Sequence, residues 1–216
     1  MLQFITLIRI IVLSGLIFIV PQSWADEPKP PQIVVFGDSL VAGYQLAPGE
    51  SFPEKLKAVL SAKNQDVEII AAGVSGDTTS GGLARLDWSI PPTASAVLLE
   101  LGANDALRGV PAHKTAENLE TMITRLQDRG VKVLLIGMLA PPNMGEDYAA
   151  EFNPIYPKLA EKYGLPLYPF FLDGVLTHPD LLLADGMHPN GRGVEIMVGR
   201  ILPLVEELIE ELRPIP

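Results

Sequence analysis

The chain has 216 residues, a length for one domain or a cramped pair. Hydrophobic residues make up 48% and charged residues 19%, which excludes intrinsic disorder, and the absence of cysteine excludes disulfides, thiolate-bound zinc, iron–sulfur clusters and a cysteine nucleophile. The formal charge of −10 argues against a broad nucleic-acid surface, and three histidines (His113, His178 and His188) leave little room for a multi-histidine metal site.

Residues 1–25 read as a signal peptide. Arg9 and the amino terminus form a small positive region, and the apolar run Ile10–Val20 follows. Pro21-Gln22 breaks that run, and Ser23-Trp24-Ala25 places small residues for a cut after Ala25. The run is too short for a typical membrane span, although Leu2–Ile8 is also largely apolar and an uncleaved anchor is the competing reading. Cleavage would leave 191 residues carrying −11, in a periplasm or the medium. Residues 26–31 (DEPKPP) form a stiff polar lead-in, and residues 32–216 are expected to form one domain.

Short continuous apolar runs then alternate with helical patterns. The runs are Ile33–Phe36, Val67–Ala72, Ala96–Leu101, Val131–Gly137 and a weaker Leu165–Phe170. Continuous rather than alternating hydrophobicity indicates strands covered on both faces, as in a parallel sheet. Helical spacing appears at Phe52, Leu56, Val59 and Leu60, and again at Leu119, Met122, Ile123 and Leu126. Ala149–Tyr163 is helical in pattern, with Pro154 and Pro157 as boundaries or kinks, and a last helix runs from about Val194 to Leu212, bent near Pro203. The βαβαβαβαβα order predicts a three-layer α/β/α sandwich on a five-stranded parallel sheet. Chemistry in such sheets sits at the carboxyl ends of the strands.

Four strand-end or late-chain segments carry the unusual residues. Gly37-Asp38-Ser39-Leu40 ends the first run, where Ser39 is either a nucleophile or, with Asp38, a helix cap. Gly73 ends the second, offering an unhindered backbone N–H or only a turn. Gly102-Ala103-Asn104-Asp105 ends the third, where Asn104 aims an amide donor into the cleft or closes an Asx-turn. Asp185-Gly186-Met187-His188 lies near the end, with Asp185 three residues before His188. The pair is either a general base with its orienting acid or a structural surface pair. A serine hydroxyl needs a base to take its proton, and the tetrahedral intermediate needs donors aimed at its oxyanion. Ser39, His188 and Asp185 supply the first set, while the N–H groups of Ser39 and Gly73 and the Asn104 amide supply the second. G-x-S-x-G, H-E-x-x-H, Walker and G-x-G-x-x-G patterns are absent.

With these residues the chain resembles the SGNH (GDSL) hydrolase family. Each block is weak alone; the four in order carry the resemblance, which runs from about Ile33 to Leu208. Ser75–Thr78, Gly82–Leu86, Glu100–Gly102, Leu107–Gly109 and Ile155–Ala160 look like the secreted bacterial multifunctional esterase branch. The resemblance implies a flavodoxin-like fold, no cofactor or metal, and arylesterase, lysophospholipase and acyl-CoA thioesterase activity. It also implies a catalytic triad of Ser39, Asp185 and His188, with Ser39, Gly73 and Asn104 as the oxyanion hole.

Other residues carry weaker expectations. His178, with Asp180 two residues on, is a minor candidate base, and His113 reads as a solvated loop residue. Arg108 either greets an anionic substrate group or, by preference, pairs with a surface acid. Asp38 and Asp105 read as structural loop braces. Leu107, Arg108, Val110, Met144 and Tyr148 are candidates for an acyl groove, against ordinary packing under a loop. The expected substrate is a small ester or lysophospholipid, handled by a monomer without nucleic acid or a stable membrane span. A carbohydrate or peptidoglycan O-acetylesterase on the same fold and a non-catalytic acyl-binding module are the competing functions.

Overall fold

The computed structural model describes residues 29–213. The expected signal peptide and the first half of the lead-in, residues 26–28, therefore lie outside the described residues. Five parallel strands form one sheet: β1 (Gln32–Gly37), β2 (Glu68–Gly73), β3 (Ala94–Glu100), β4 (Lys132–Ile136) and β5 (Leu167–Tyr168). Their spatial order is β2-β1-β3-β4-β5. Eight α-helices connect and cover them: α1 (Ser39–Ala42), α2 (Phe52–Ala62), α3 (Thr79–Ser89), α4 (Ala103–Leu107), α5 (Ala112–Asp128), α6 (Glu146–Phe152), α7 (Ile155–Tyr163) and α8 (Gly191–Leu212).

The strand order reverses direction at β1. With right-handed crossovers, α2 then falls on one face and α3, α5 and α7 on the other. The packing agrees, because α2 meets α8 while α5 meets both α3 and α7. The result is the α/β/α sandwich expected from the alternating pattern. β1 and β3 are interior and mostly apolar, with Ile33, Val34, Val35, Phe36, Val97, Leu98 and Leu99 inaccessible to solvent. The switch point lies between these two strands, and their carboxyl ends lead directly into α1 and α4.

Four local features differ from the sequence expectation. β2 is an edge strand and is only partly covered, so its apolar run does not report burial on both faces. β5 shrinks to two residues because Pro166 and Pro169 flank it and neither can donate to a ladder. The Ala149–Tyr163 pattern breaks at Asn153-Pro154, as expected of Pro154, but Pro157 is no boundary: it is tolerated in the first turn of α7, where backbone N–H groups have no helical partner. No apolar periodicity marks α3, whose sequence TSGGLARLDWS holds two glycines and an exposed Trp88; it forms because Thr78 caps it, accepting from Gly81 N–H at 3.3 Å, and because tertiary contacts hold it. α8 continues through Pro203.

Candidate active site

Asp38 accepts the Leu40 N–H at 3.0 Å and so caps α1, which places Ser39 in the first helical position at the end of β1. Ser39 is largely buried, at 8% exposure. Its Oγ lies 2.9 Å from His188 Nε2, and His188 Nδ1 lies 2.7 Å from Asp185 Oδ2. The cap and nucleophile alternatives for this segment are thus divided between neighbours: Asp38 caps, and Ser39 faces the imidazole.

The turn that carries the histidine is organised by its own short-range bonds. Asp185 Oδ1 accepts the backbone N–H groups of Met187 at 2.9 Å and His188 at 3.0 Å. Leu183 N–H donates to the His188 carbonyl at 2.8 Å, and Leu182 bridges Pro189. The two backbone donors, His188 first and Met187 second, pull Asp185 down to about 2. Asp185 is then an acceptor at neutral pH. It accepts a hydrogen bond from Nδ1–H, which leaves Nε2 free to accept from the serine hydroxyl.

The expected oxyanion residues converge on the same end of the sheet. Asn104, near the start of α4, donates one Nδ2 proton to Asp38 Oδ2 at 3.0 Å and keeps a second N–H. Gly73 ends β2 opposite Gly37 and against α1; a Cβ there would lie 2.4 Å from the Ala42 nitrogen, so only glycine lets the strand end approach so closely. Burial pushes Asp38 up to about 6, and the bonds from Leu40 N–H and Asn104 resist that rise. Asp105 accepts from Thr79 N–H at 2.8 Å, from the Thr79 hydroxyl and from the Thr115 hydroxyl at 3.2 Å, so it braces α3, α4 and α5 together.

The candidate groove residues behave differently from one another. Tyr148 Oη donates to the Val110 carbonyl at 2.8 Å, and its ring stacks on Phe152. Met144 packs beside Gly109. Leu107 is exposed. Among the described residues Arg108 pairs with no acid; its Nη2 donates to the Gly76 carbonyl at 2.8 Å and ties the loop after β2 to α4, rather than forming the expected surface ion pair. The depression touching Ser39 and His188 is lined instead by Leu40, Gly43, Tyr44, Leu46 and Pro189. His113 stands in the first turn of α5 rather than in a loop, exposed, and His178 is exposed before a short 3-10 turn at Pro179–Leu181.

Three residues of the site carry roles that motif reading does not assign. The Tyr44 ring lies over the imidazole of His188, with centroids 4.6 Å apart. Arg85, 6% exposed, bonds Asp77 at 2.5 Å and donates to the carbonyls of Gly37 and Ala72, both at 2.9 Å, so it locks the ends of β1 and β2 side by side. Glu100 is fully buried, and its Oε2 accepts the Asp38 N–H at 3.1 Å. Burial first, and the neighbouring Asp38 carboxylate second, push Glu100 well above the usual carboxylate range. A lone acid inside the apolar run AVLLEL is a signal for Glu100. Tyr44 and Arg85 have no comparable mark.

Residues 35–196 match the family model of the GDSL-like lipase/acylhydrolase family. An arylesterase of Vibrio mimicus is 45% identical over 160 residues, covering 74% of this chain and 80% of the relative. The thioesterase 1/protease 1/lysophospholipase L1 of Escherichia coli is 36% identical over 159 residues, covering 73% and 75%. The crystal structure of AlinE4, an SGNH-hydrolase family esterase, superposes with a TM-score of 0.71 at 44% identity, covering 84% of this chain and 98% of its own. The chain belongs to the GDSL-like lipase/acylhydrolase family and is a carboxylic ester hydrolase of the SGNH type.

Proposed function

We propose that ester hydrolysis here runs through an acyl-enzyme on Ser39. The observation that carries the reading is the unbroken chain Ser39 Oγ, His188 Nε2, His188 Nδ1, Asp185 Oδ2, at 2.9 and 2.7 Å. Ser39 Oγ attacks the ester carbonyl as its proton passes to His188 Nε2. Asp185 holds the ring and stabilises the imidazolium that forms. The N–H groups of Ser39 and Gly73 and the free Asn104 N–H stabilise the oxyanion. Collapse breaks the carbonyl–leaving-group bond, and His188 protonates the departing alcohol or thiol. Water, deprotonated by the same imidazole, attacks the acyl-enzyme and releases the acid and Ser39.

Neutral esters and lysophospholipids rank above acyl-CoA as natural substrates, because the chain left after cleavage, at −11, repels a polyanionic thioester at low salt. The enzyme is read as a periplasmic or secreted monomer whose residues 1–25 are removed. N-terminal sequencing of the exported protein tests the cleavage, and light scattering tests the monomer.

The deciding experiment is hydrolysis of p-nitrophenyl esters from acetyl to palmitoyl by wild type and Ser39→Ala. Activity extending beyond short chains and lost in the variant supports the acyl-enzyme and an acyl groove. Confinement to acetyl points to a carbohydrate deacetylase. Equal activity in wild type and variant removes Ser39 from the chemistry. An acyl-CoA efficiency well above that of a matched lysophospholipid overturns the substrate ranking.

A further inference from the structure

We propose that Glu100 is a positioning residue of the hydrolytic site: through the Asp38 backbone it fixes the turn that presents both Ser39 and the Asn104 amide to the oxyanion. The inference rests on the reading of Ser39 and Asn104 as oxyanion donors.

Glu100 ends β3, between the strand's apolar run and the turn into α4. Its Oε2 accepts the Asp38 N–H, and a Cβ on Gly37 would lie 2.4 Å from that same oxygen. The carboxyl therefore occupies the space directly beneath the β1–α1 turn, which only a glycine leaves open. Its second oxygen, Oε1, is buried without a hydrogen-bond partner among the described residues. A leucine would bury at this point with far less cost in desolvation than a half-satisfied carboxyl. Local rules broken in this way concentrate at functional sites.

What the carboxyl holds explains the exception. Asp38 must be fixed in three respects: its N–H by Glu100, its Oδ1 by Leu40 N–H, its Oδ2 by Asn104. Those bonds connect, in one buried relay, the backbone of the nucleophile and the side chain of the oxyanion donor. The relay needs one negative charge, on Asp38, because both side-chain partners of Asp38 are donors. A charged Glu100 would repel it. A neutral acid at 100 accepts the Asp38 N–H without that repulsion, in keeping with the upward displacement of Glu100 by burial.

The test compares Glu100→Gln, which keeps a neutral acceptor, with Glu100→Leu, which keeps the volume and removes it. Both are assayed on p-nitrophenyl butyrate beside thermal unfolding. Glu100→Gln is expected to keep kcat within about threefold, and Glu100→Leu to lose on the order of 10- to 100-fold in kcat at unchanged KM, a part of the 10²–10³ that a whole oxyanion donor is worth. In an Asn104→Ala background, Glu100→Leu should cost less than about threefold more, because the two act through one relay. A folded Glu100→Leu enzyme with wild-type kcat, or a fully additive loss with Asn104→Ala, overturns the proposal. A folded Glu100→Gln enzyme losing more than about thirtyfold overturns it as well, since a neutral acceptor would then not suffice. If Glu100→Leu does not fold, Asp38→Asn carries the test, with intact Glu100: kcat should fall at unchanged KM, and an unchanged kcat overturns the relay. Ser39→Ala separates the two readings, since an active Ser39→Ala enzyme defeats the acyl-enzyme itself, whereas an inert Ser39→Ala beside a fully active Glu100→Leu defeats only the role of Glu100.

Discussion

Two turns meet at Ser39, and they are built on opposite principles. The Asp38–Ser39 turn is buried, and its partners come from far along the chain: Glu100 is 62 residues away and Asn104 is 66. The Asp185–His188 turn is largely exposed, and its carboxylate is held by donors two and three residues away. Burial pushes the aspartate of the first turn up to about 6, and backbone donors pull that of the second down to about 2. A surface turn with its own hydrogen bonds is enough to keep Asp185 ionised. On the proposed reading, presenting oxyanion donors at a fixed point requires the rigid sheet.

The sharpest way to break this contrast is Asp185→Asn. The amide keeps an oxygen for the two backbone donors but no longer orients the imidazole as an anion does, so kcat should fall on the order of 10⁴-fold. The thermal midpoint should barely move, because the turn is exposed and locally bonded. A large drop in the midpoint would show that the turn is structurally coupled to the core.

Arg85→Met tests the buried side in the opposite sense. It strands the Gly37 and Ala72 carbonyls and Asp77, and breaking a buried ion pair costs about 3–5 kcal/mol. Urea unfolding should report that loss, and the folded fraction should keep much of its activity. Unchanged stability would mean that the strand ends are held without the arginine.

Asn104→Ala should lower kcat by about 10²–10³ with little change in KM, because the donor acts in the transition state. Unchanged turnover with a short-chain aryl ester would remove Asn104 from the mechanism.

The smallest effect is on pH dependence. The folded value of Asp38 lies above its ordinary 3.8, so the folded state binds more protons between about pH 4 and 6. Its contribution is present below that window and is lost as pH rises through about 6, with a slope of at most about 1.4 kcal/mol per pH unit. Unfolding free energies of wild type and Asp38→Asn, measured at pH 4.5 and 6.5, should show the wild type losing ground to the variant on going up. Asp185 acts with the reverse sign, its contribution failing as pH falls from about 4 towards 2.

The residues that sequence reading finds and those it misses divide along the same line. Apolar runs mark β1 to β4, and Gly37, Ser39, Gly73, Asn104, Asp185 and His188 stand out because turn chemistry and short spacing are local properties. β5 is overextended, because Pro166 and Pro169 cut its ladder while leaving its hydrophobicity intact. α3 escapes because tertiary contact rather than an apolar stripe holds it. Arg108 bonds a carbonyl of the neighbouring loop instead of an acid, a choice that depends on where that loop comes to rest.

By itself the sequence determined the parallel α/β class, the strand ends that hold the unusual residues, and the kind of chemistry a serine, a histidine and an aspartate can perform together. Periodicity and turn propensity act over a few residues, and those conclusions need nothing longer. Tertiary structure alone decided that Ser39 meets a histidine 149 residues away at 2.9 Å, that β2 is an edge, that Tyr44 covers the imidazole, and that Glu100 and Arg85 lie beneath the strand ends. These depend on the order of strands in the sheet, which the packing of the whole domain selects.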